Sequence, residues 1–301
     1  MHISVLLEEC IKYLNLKEDS KIVDCTLGYG GHSSEILKRI PKGFLYSFDQ
    51  DKEAIKFSDK RLSEIGSNYK IINSNFVNLE ENIDEKVDGI LYDLGVSSPQ
   101  LDVDERGFSF HNEARLDMRM NRDNDLDAHK VVNTYSFEKL RDIFYKYGEE
   151  KFSSSIAKKI VEERSKKEIN TTLELVEIIK SATPDKYKRE HHPARKVFQA
   201  IRIEVNRELE VFENSIHQAL ELIKVGGRVC VITFHSLEDR ICKEVFKKVS
   251  ELPKELRGLP VVPDEYQPKY KIVNNISPSE KELEDNNRSR SARLRVIEKI
   301  R

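Results

Sequence analysis

Three aspartates stand where short apolar runs end: Asp24 in Lys21-Ile22-Val23-Asp24-Cys25, Asp49 closing Gly43 to Asp49, and Asp93 closing Val87 to Asp93. An acid at the carboxyl end of a strand projects into the crevice where open α/β sheets bind ligands. After Asp24 comes Thr26-Leu27-Gly28-Tyr29-Gly30-Gly31-His32. Its glycines permit positive φ and let backbone amides face a ligand at a helix N-terminus. Asp49 follows that loop at about the 20-residue interval at which an acid meets ribose hydroxyls. Asp93 opens Leu94-Gly95-Val96-Ser97-Ser98-Pro99-Gln100, whose small residues and proline make a rigid polar shelf.

Charge separates two cofactors that such a loop could hold. A dinucleotide fingerprint reads G-x-G-x-x-G, but Ser33 occupies the third glycine position, and Asp24 would sit near a pyrophosphate. S-adenosylmethionine has no phosphate and carries cationic sulfonium and ammonium groups, which Asp24 and Asp93 suit. The acidic strand ends therefore favour S-adenosylmethionine over NAD.

The elements that must position these residues alternate. Strand-like runs at Lys21 to Cys25, Gly43 to Asp49, Tyr69 to Ile72 and Val87 to Asp93 are separated by helix-like spacing over Ser33 to Ile40 and Lys52 to Ile65. Short connections between such runs imply right-handed βαβ units and a parallel sheet. From about Glu105 to His192 the pattern is helical: Phe137 to Tyr147, then Phe152 to Val161, then a capping box at Thr171-x-x-Glu174 opening a third helix. One long helix is predicted from Val197 to Ile223, followed by a fifth strand from Arg228 to Phe234 and an antiparallel pair at Lys271 to Val273 and Leu294 to Ile297. The resulting α/β fold has a Rossmann-like domain, 1–104 and 193–301, interrupted after its fourth strand by a helical domain, 105–192.

The chain has 301 residues, ample for a sizeable core, with 51 basic and 53 acidic side chains, so it lacks the overall basic charge of many nucleic-acid binders. No apolar run is long enough to span a bilayer, and the first residues do not read as a secretory leader. Cys10, Cys25, Cys230 and Cys242 lack metal spacing and fit small core residues in a reducing compartment, so the cytoplasm is expected. His191-His192 and His217 show no metal-ligand spacing, and no metal site is expected.

Several strings together resemble one family. They are Gly28-Tyr29-Gly30-Gly31-His32-Ser33, Asp93 to Gln100, Arg106-Gly107-Phe108-Ser109-Phe110, Leu116-Asp117-Met118-Arg119-Met120, Tyr147-Gly148-Glu149-Glu150, Phe198-Gln199-Ala200-Ile201-Arg202 and Phe234-His235-Ser236-Leu237-Glu238-Asp239-Arg240. The chain is similar, from His2 to its carboxyl end, to the bacterial 16S rRNA (cytosine-N4)-methyltransferases (RsmH/MraW). That resemblance implies a class I S-adenosylmethionine-dependent methyltransferase fold with a helical insertion. It implies methylation of the N4 amino group of a cytidine in the decoding (P-site) region of small-subunit 16S rRNA. Cofactor contacts implied by the family's motifs are Gly30, Gly31, His32, Asp49, Phe76, Asp93 and Gln100. The (Ser/Asp/Asn)-Pro-Pro-aromatic motif of many base-amino methyltransferases is here Ser97-Ser98-Pro99-Gln100, so a stacking aromatic must come from elsewhere, with Phe108 and Phe110 as candidates.

Cytosine N4 is a weak nucleophile because its lone pair is delocalised into the ring. An acceptor for an N4 hydrogen localises that pair, and Asp93 or a carbonyl near Ser97 is placed for this; these are the candidate catalytic groups. Lys188, Arg189, Arg195 and Lys196, in a basic run that begins at Lys186, and a second run at Arg288, Arg290, Arg293 and Arg295 are candidate phosphate contacts. The expected partners are 16S rRNA or the small ribosomal subunit, with a homodimer as a further possibility and no membrane. Alternatives are an amino-methyltransferase acting on DNA and a non-catalytic cofactor-sensing RNA-binding or ribosome-assembly protein.

Overall fold

The computed structural model describes residues 4–96, 103–190, 192–258 and 261–301. Seven strands form one sheet: β1 (Lys21–Asp24), β2 (Phe44–Asp49), β3 (Tyr69–Asn73), β4 (Val87–Asp93), β5 (Ile223–Thr233), β6 (Tyr270–Ile276) and β7 (Arg293–Lys299). Their order is β3-β2-β1-β4-β5-β7-β6. Neighbours from β3 to β5 run parallel, and β7 runs antiparallel to both β5 and β6. After β1 the chain builds outward through β2 and β3, then crosses back to lay β4 on the other side of β1. Ligand crevices form at such a switch point, outside the carboxyl ends of the strands. This is a Rossmann-like α/β sheet.

Period-two alternation explains why the central strands are apolar on both faces. Val23, Ile90, Tyr92, Val229 and Val231 point to one face, where Phe212 and Ile216 of the helix Glu208–Leu222 and Phe246 of the helix Ser236–Ser250 cover them. Ile22, Leu91, Cys230 and Ile232 point to the other, covered by Cys10 and Leu14 of the helix Leu7–Leu14 and by Ile36 of the helix Gly31–Arg39. All four cysteines are free and buried, as small core residues.

The chain divides into two compact units, one of residues 1–95 and 209–301, the other 96–208. The helical unit contains the three expected helices, Phe137–Lys146, Ser153–Lys166 and Thr172–Ser181, and the Thr171/Glu174 capping box is formed. Two shorter helices, Ala128–Thr134 and Asp185–Glu190, complete it together with Ala194–Asn206.

That last helix corrects the expected boundary of 105–192 and the single long helix from Val197 to Ile223. Arg207 adopts the left-handed conformation (φ 52°) and ends Ala194–Asn206, whose Val197, Phe198, Ala200 and Ile201 are buried among the insertion's own helices. The next helix, Glu208–Leu222, instead faces the sheet. Apolar residues at three- and four-residue steps continue through the break, so the spacing carries no sign of it. The helix Leu7–Leu14 lies outside the expected elements, although Leu7, Cys10, Ile11 and Leu14 recur at three- and four-residue steps.

Candidate functional site

The carboxyl ends of β2, β1 and β4, three adjacent strands, carry Asp49, Asp24 and Asp93. Each carboxylate does a different job. Asp24 is fully buried and occupied: its Oδ1 accepts from the Thr26 amide at 3.0 Å, and its Oδ2 from the Ser33 hydroxyl at 2.7 Å. Ser33 in turn lies 2.9 Å from the Ser47 hydroxyl. Asp24 therefore holds the first turn of the helix Gly31–Arg39 against β1 and β2.

Asp49 spans the loop. Its Oδ2 accepts from the Gly28 amide and its Oδ1 from the Asp51 amide, each at 2.8 Å. The Leu27 amide donates to the Phe48 carbonyl at 2.9 Å, and the Ser58 hydroxyl to the Gly28 carbonyl at 2.8 Å. Gly28 and Gly30 both have positive φ, 49° and 74°. The glycine loop is thus pinned from β2 and its following helix, Lys52–Ser63. Burial raises the Asp49 pKa to about 6, with the nearby charges of Asp51 and Asp24 adding to the rise.

Asp93 is the carboxylate with spare capacity. Its backbone amide donates to the Thr26 hydroxyl at 2.7 Å, and its Oδ2 lies 3.4 Å from His32 Nδ1. Its Oδ1 is buried and has no hydrogen-bond partner among the described residues. A buried polar atom of this kind is exceptional and calls for a ligand or solvent. Burial lifts the Asp93 pKa to about 6; His32 opposes the rise, and Asp24 and Glu238 add to it.

His32 Nε2 sits 3.1 Å from the Val5 carbonyl, which can only accept, so that nitrogen carries the proton in this arrangement.

Gly31 has no room for a side chain: a Cβ there would lie 1.9 Å from the Ser4 hydroxyl. Phe76 follows β3 on a single 3-10 turn, Phe76–Asn78, with its ring edge-on to Tyr92 at 5.5 Å and its carbonyl accepting from Ser215 at 2.9 Å. The ring is partly buried against the sheet core. Of the residues implied as cofactor contacts, the sheet unit brings Gly30, Gly31, His32, Asp49 and Asp93 to the same strand ends and loop, with Phe76 at the end of β3. Ser97 and Gln100 lie outside the described residues. The His32–Asp93 couple is a feature that residue spacing does not reveal, since it depends on how β4 is laid beside β1.

The basic runs resolve unevenly. In the helical unit Arg189 and Arg195 are exposed, Lys188 pairs with Asp185 at 2.9 Å, and the Lys196 ammonium donates to the Glu149 carbonyl at 2.9 Å. The short helix Asp185–Glu190 is fastened by the Tyr187 hydroxyl, which donates to the buried Glu150 carboxylate at 2.9 Å. Near the carboxyl end, Arg290 and Arg293 are exposed. Arg295 is instead committed to Asp239 through two bonds of 2.7 and 2.9 Å, which removes it from the candidate phosphate contacts.

Other residues of the quoted strings sit within local structure. Arg119 and Asp117 form an internal bidentate pair of 2.8 and 2.9 Å. His235 occupies the N-cap position of Ser236–Ser250, while the buried Glu238 accepts from the Phe234 amide at 2.8 Å. Phe108 is buried in the core of the helical unit and so is withdrawn as a base-stacking candidate; Phe110 is only partly buried.

The sequence matches the profile of the MraW methylase family over residues 1–300. Among solved structures, a rRNA methylase from Streptococcus thermophilus is 13% identical with a TM-score of 0.47, each chain covered over 100% of its length. A putative rRNA-methylase from Clostridium thermocellum is 14% identical over 100% of both chains, with a TM-score of 0.47. A putative methyltransferase from Streptococcus mutans, crystallised with SAH, is 12% identical over 99% of both chains, with a TM-score of 0.46. The match along nearly the whole sequence means that this chain belongs to the MraW methylase family, the S-adenosylmethionine-dependent rRNA methyltransferases.

Proposed function

We propose that this enzyme methylates the N4 amino group of a cytidine in the decoding region of 16S rRNA, working in the cytoplasm on the rRNA or the small ribosomal subunit. The carrying observation is the acidic end of the sheet, where Asp93 keeps an unpartnered buried oxygen beside two further carboxylates. Like charges held together in this way disfavour their own ionisation, and a cationic ligand relieves them. A sulfonium cofactor supplies that cation, and a phosphate-bearing dinucleotide would add repulsion.

The residues fit the cofactor in stated roles. Gly30 and Gly31 keep the loop flat enough for close approach, Asp49 offers its remaining lone pairs to ribose hydroxyls, and Phe76 gives adenine an apolar wall. S-adenosylmethionine supplies an activated methyl group, so the protein's part is mainly alignment and exclusion of water. Asp93, ionised, accepts a hydrogen from N4, which returns lone-pair density to the attacking nitrogen and later takes the proton. His32 stands beside that carboxylate, with Nδ1 3.4 Å from its Oδ2, and is itself held by the Val5 carbonyl. Ser97 and Gln100 remain candidates for substrate and cofactor contacts in the shelf.

The direct test incubates the full chain with S-adenosylmethionine and either small ribosomal subunits or protein-free 16S rRNA, followed by nucleoside mass spectrometry. N4-methylcytidine at a single decoding-region position is the expected product. A different methylated nucleoside, or none with bound cofactor and RNA, overturns the assignment.

The helical unit would meet the RNA backbone through Arg189 and Arg195, two exposed members of its basic run besides Lys186. Reversing both to Glu is expected to lower RNA affinity at least about tenfold near physiological salt and to flatten the salt dependence by a slope of roughly one to two. Binding isotherms at several salt concentrations measure both. An unaltered slope removes these arginines from the interface.

A further inference from the structure

The helical unit carries a cluster of rings that neither the sheet chemistry nor the unit's own core requires. Phe110 stacks on His192 with centroids 4.5 Å apart and planes at 27°. His111 lies 4.4 Å from Phe110 and 5.5 Å from His192, and Phe198 closes the base of the group edge-on at 5.7 Å. Only Phe198 is fully buried; Phe110 and His192 are half-buried and His111 is exposed. The cluster therefore shows ring surface to solvent, which a packing role alone would hide.

Two further observations bear on what it takes. His192 Nδ1 is buried without a hydrogen-bond partner among the described residues, so the ring has an unused polar atom beside the stack. Burial, and then the charges of His111, Lys180 and Arg195, hold the His192 pKa below its ordinary value. At neutral pH the ring is uncharged, and a neutral imidazole stacks on a heterocycle without bringing a buried charge. Arg195 is close to the stack, its amide donating to the His192 carbonyl at 3.2 Å, whereas Lys180 is paired with Glu177 at 2.7 Å. Arg195 is exposed at the first turn of Ala194–Asn206.

Partly exposed planar rings, a ring nitrogen without a partner among the described residues and a nearby cation are parts found at single-stranded nucleic-acid sites, in which a base stacks while its phosphate meets a cation. We propose that Phe110, His111 and His192 form a stacking platform for one unpaired base of the RNA substrate, with Arg195 meeting the adjoining phosphate. This rests on the enzyme acting on RNA, and adds a contact to the RNA beyond the methyl-accepting cytidine. The platform tolerates any base, because every base has a π-face, and it favours a loop or bulge over a duplex.

The chain contains no tryptophan, so 2-aminopurine in an RNA oligonucleotide can be excited without an indole background. The experiment uses the full chain and a set of short single-stranded RNAs of the substrate region, with 2-aminopurine moved one position at a time. At one position other than the target cytidine, binding is expected to quench the fluorescence. Phe110→Leu keeps apolar volume and removes the aromatic face; His111→Ala alters an exposed side chain and tests the platform if the first variant melts early. In both, quenching at that position should be lost and RNA affinity fall roughly 5- to 150-fold, the range for one stacked base. S-adenosylmethionine affinity and thermal melting of His111→Ala should stay at the wild-type level.

Quenching and affinity that persist in both variants overturn the platform while leaving the methyltransferase reading intact. Wild-type protein that forms no N4-methylcytidine, yet shows position-specific quenching abolished by the variants, does the reverse.

Discussion

Asp93→Asn is expected to lower methyl transfer at least about 100-fold, the usual scale for a positioned proton acceptor, well beyond the loss of S-adenosylmethionine affinity that the missing charge brings. Asparagine is nearly isosteric, so the strand end and its amide bond from Asp93 to Thr26 should persist. What disappears is the negative charge and one of the two acceptor oxygens. Single-turnover rates at saturating cofactor, set beside cofactor affinities by calorimetry, separate the two roles. Parallel loss of affinity and rate would sink the acceptor assignment and make Asp93 a cofactor ligand.

The pH profile adds a second reading of the same residue. The Asp93 carboxyl is raised to about 6, chiefly by burial, and it must be ionised to accept a hydrogen. Transfer should therefore climb from about pH 5 to about pH 7 and then level off. Asp93→Asn should flatten that climb in whatever activity remains. A wild-type profile without a rise in this interval contradicts the role.

Asp49→Asn should reduce cofactor affinity by about 10- to 100-fold or more, since hydrogen bonds to a charged group are worth roughly 1.5–3 kcal/mol each. Its effect on melting should be small, for two opposing reasons. Asparagine keeps a single acceptor oxygen, so its amide NH2 must face the N–H of Gly28 or of Asp51; an unsatisfied donor costs about 1–3 kcal/mol. Against this, the carboxyl's pKa rises from 3.8 to about 6 in the fold. A raised acid loses native stability as pH climbs between those values. By neutral pH the loss is roughly 1.4 kcal/mol for each pH unit that separates the folded from the unfolded value. Removing the charge returns a similar amount. Cofactor titration and thermal melting at pH 7 check both halves. Undiminished affinity rejects the ribose assignment, whereas a collapse in melting temperature shows that Asp49 serves only the loop.

The sheet was legible in the chain because each central strand is a short, two-faced apolar run closed by an acid or a glycine. Val87 to Asp93 and Lys21 to Asp24 needed no tertiary information to be recognised. The Asp49 interval was legible for the same reason. The break at Arg207 was not, because the apolar steps that bury Val197 and Ile201 in one unit continue into those that bury Phe212 and Ile216 in the other. Nor could spacing tell that Asp24 would be spent on Ser33 and Thr26 while Asp93 kept an oxygen in reserve. Side chains at strand ends are allotted by neighbouring strands, and neighbours in this sheet are distant in the chain. Arg295 makes the same point: a member of a basic run by sequence, it is a partner of Asp239 in the fold.

The segment under the glycine loop has a consequence for biosynthesis. Val5 holds His32, Ser4 fills the space at Gly31, and the next amide, Leu6, donates to Glu282 at 2.7 Å. Tyr13, further along, meets Arg228 and Asn274. The amino-terminal residues that brace the cofactor loop are thus themselves secured by residues translated near the end. Chains emerge from the ribosome in order, and contacts of high sequence separation form late. A nascent chain can align β1 to β4 early, but its loop acquires this bracing only after the final strands have been made. This bracing of the glycine loop is therefore complete only once the stretch around Glu282 has been made.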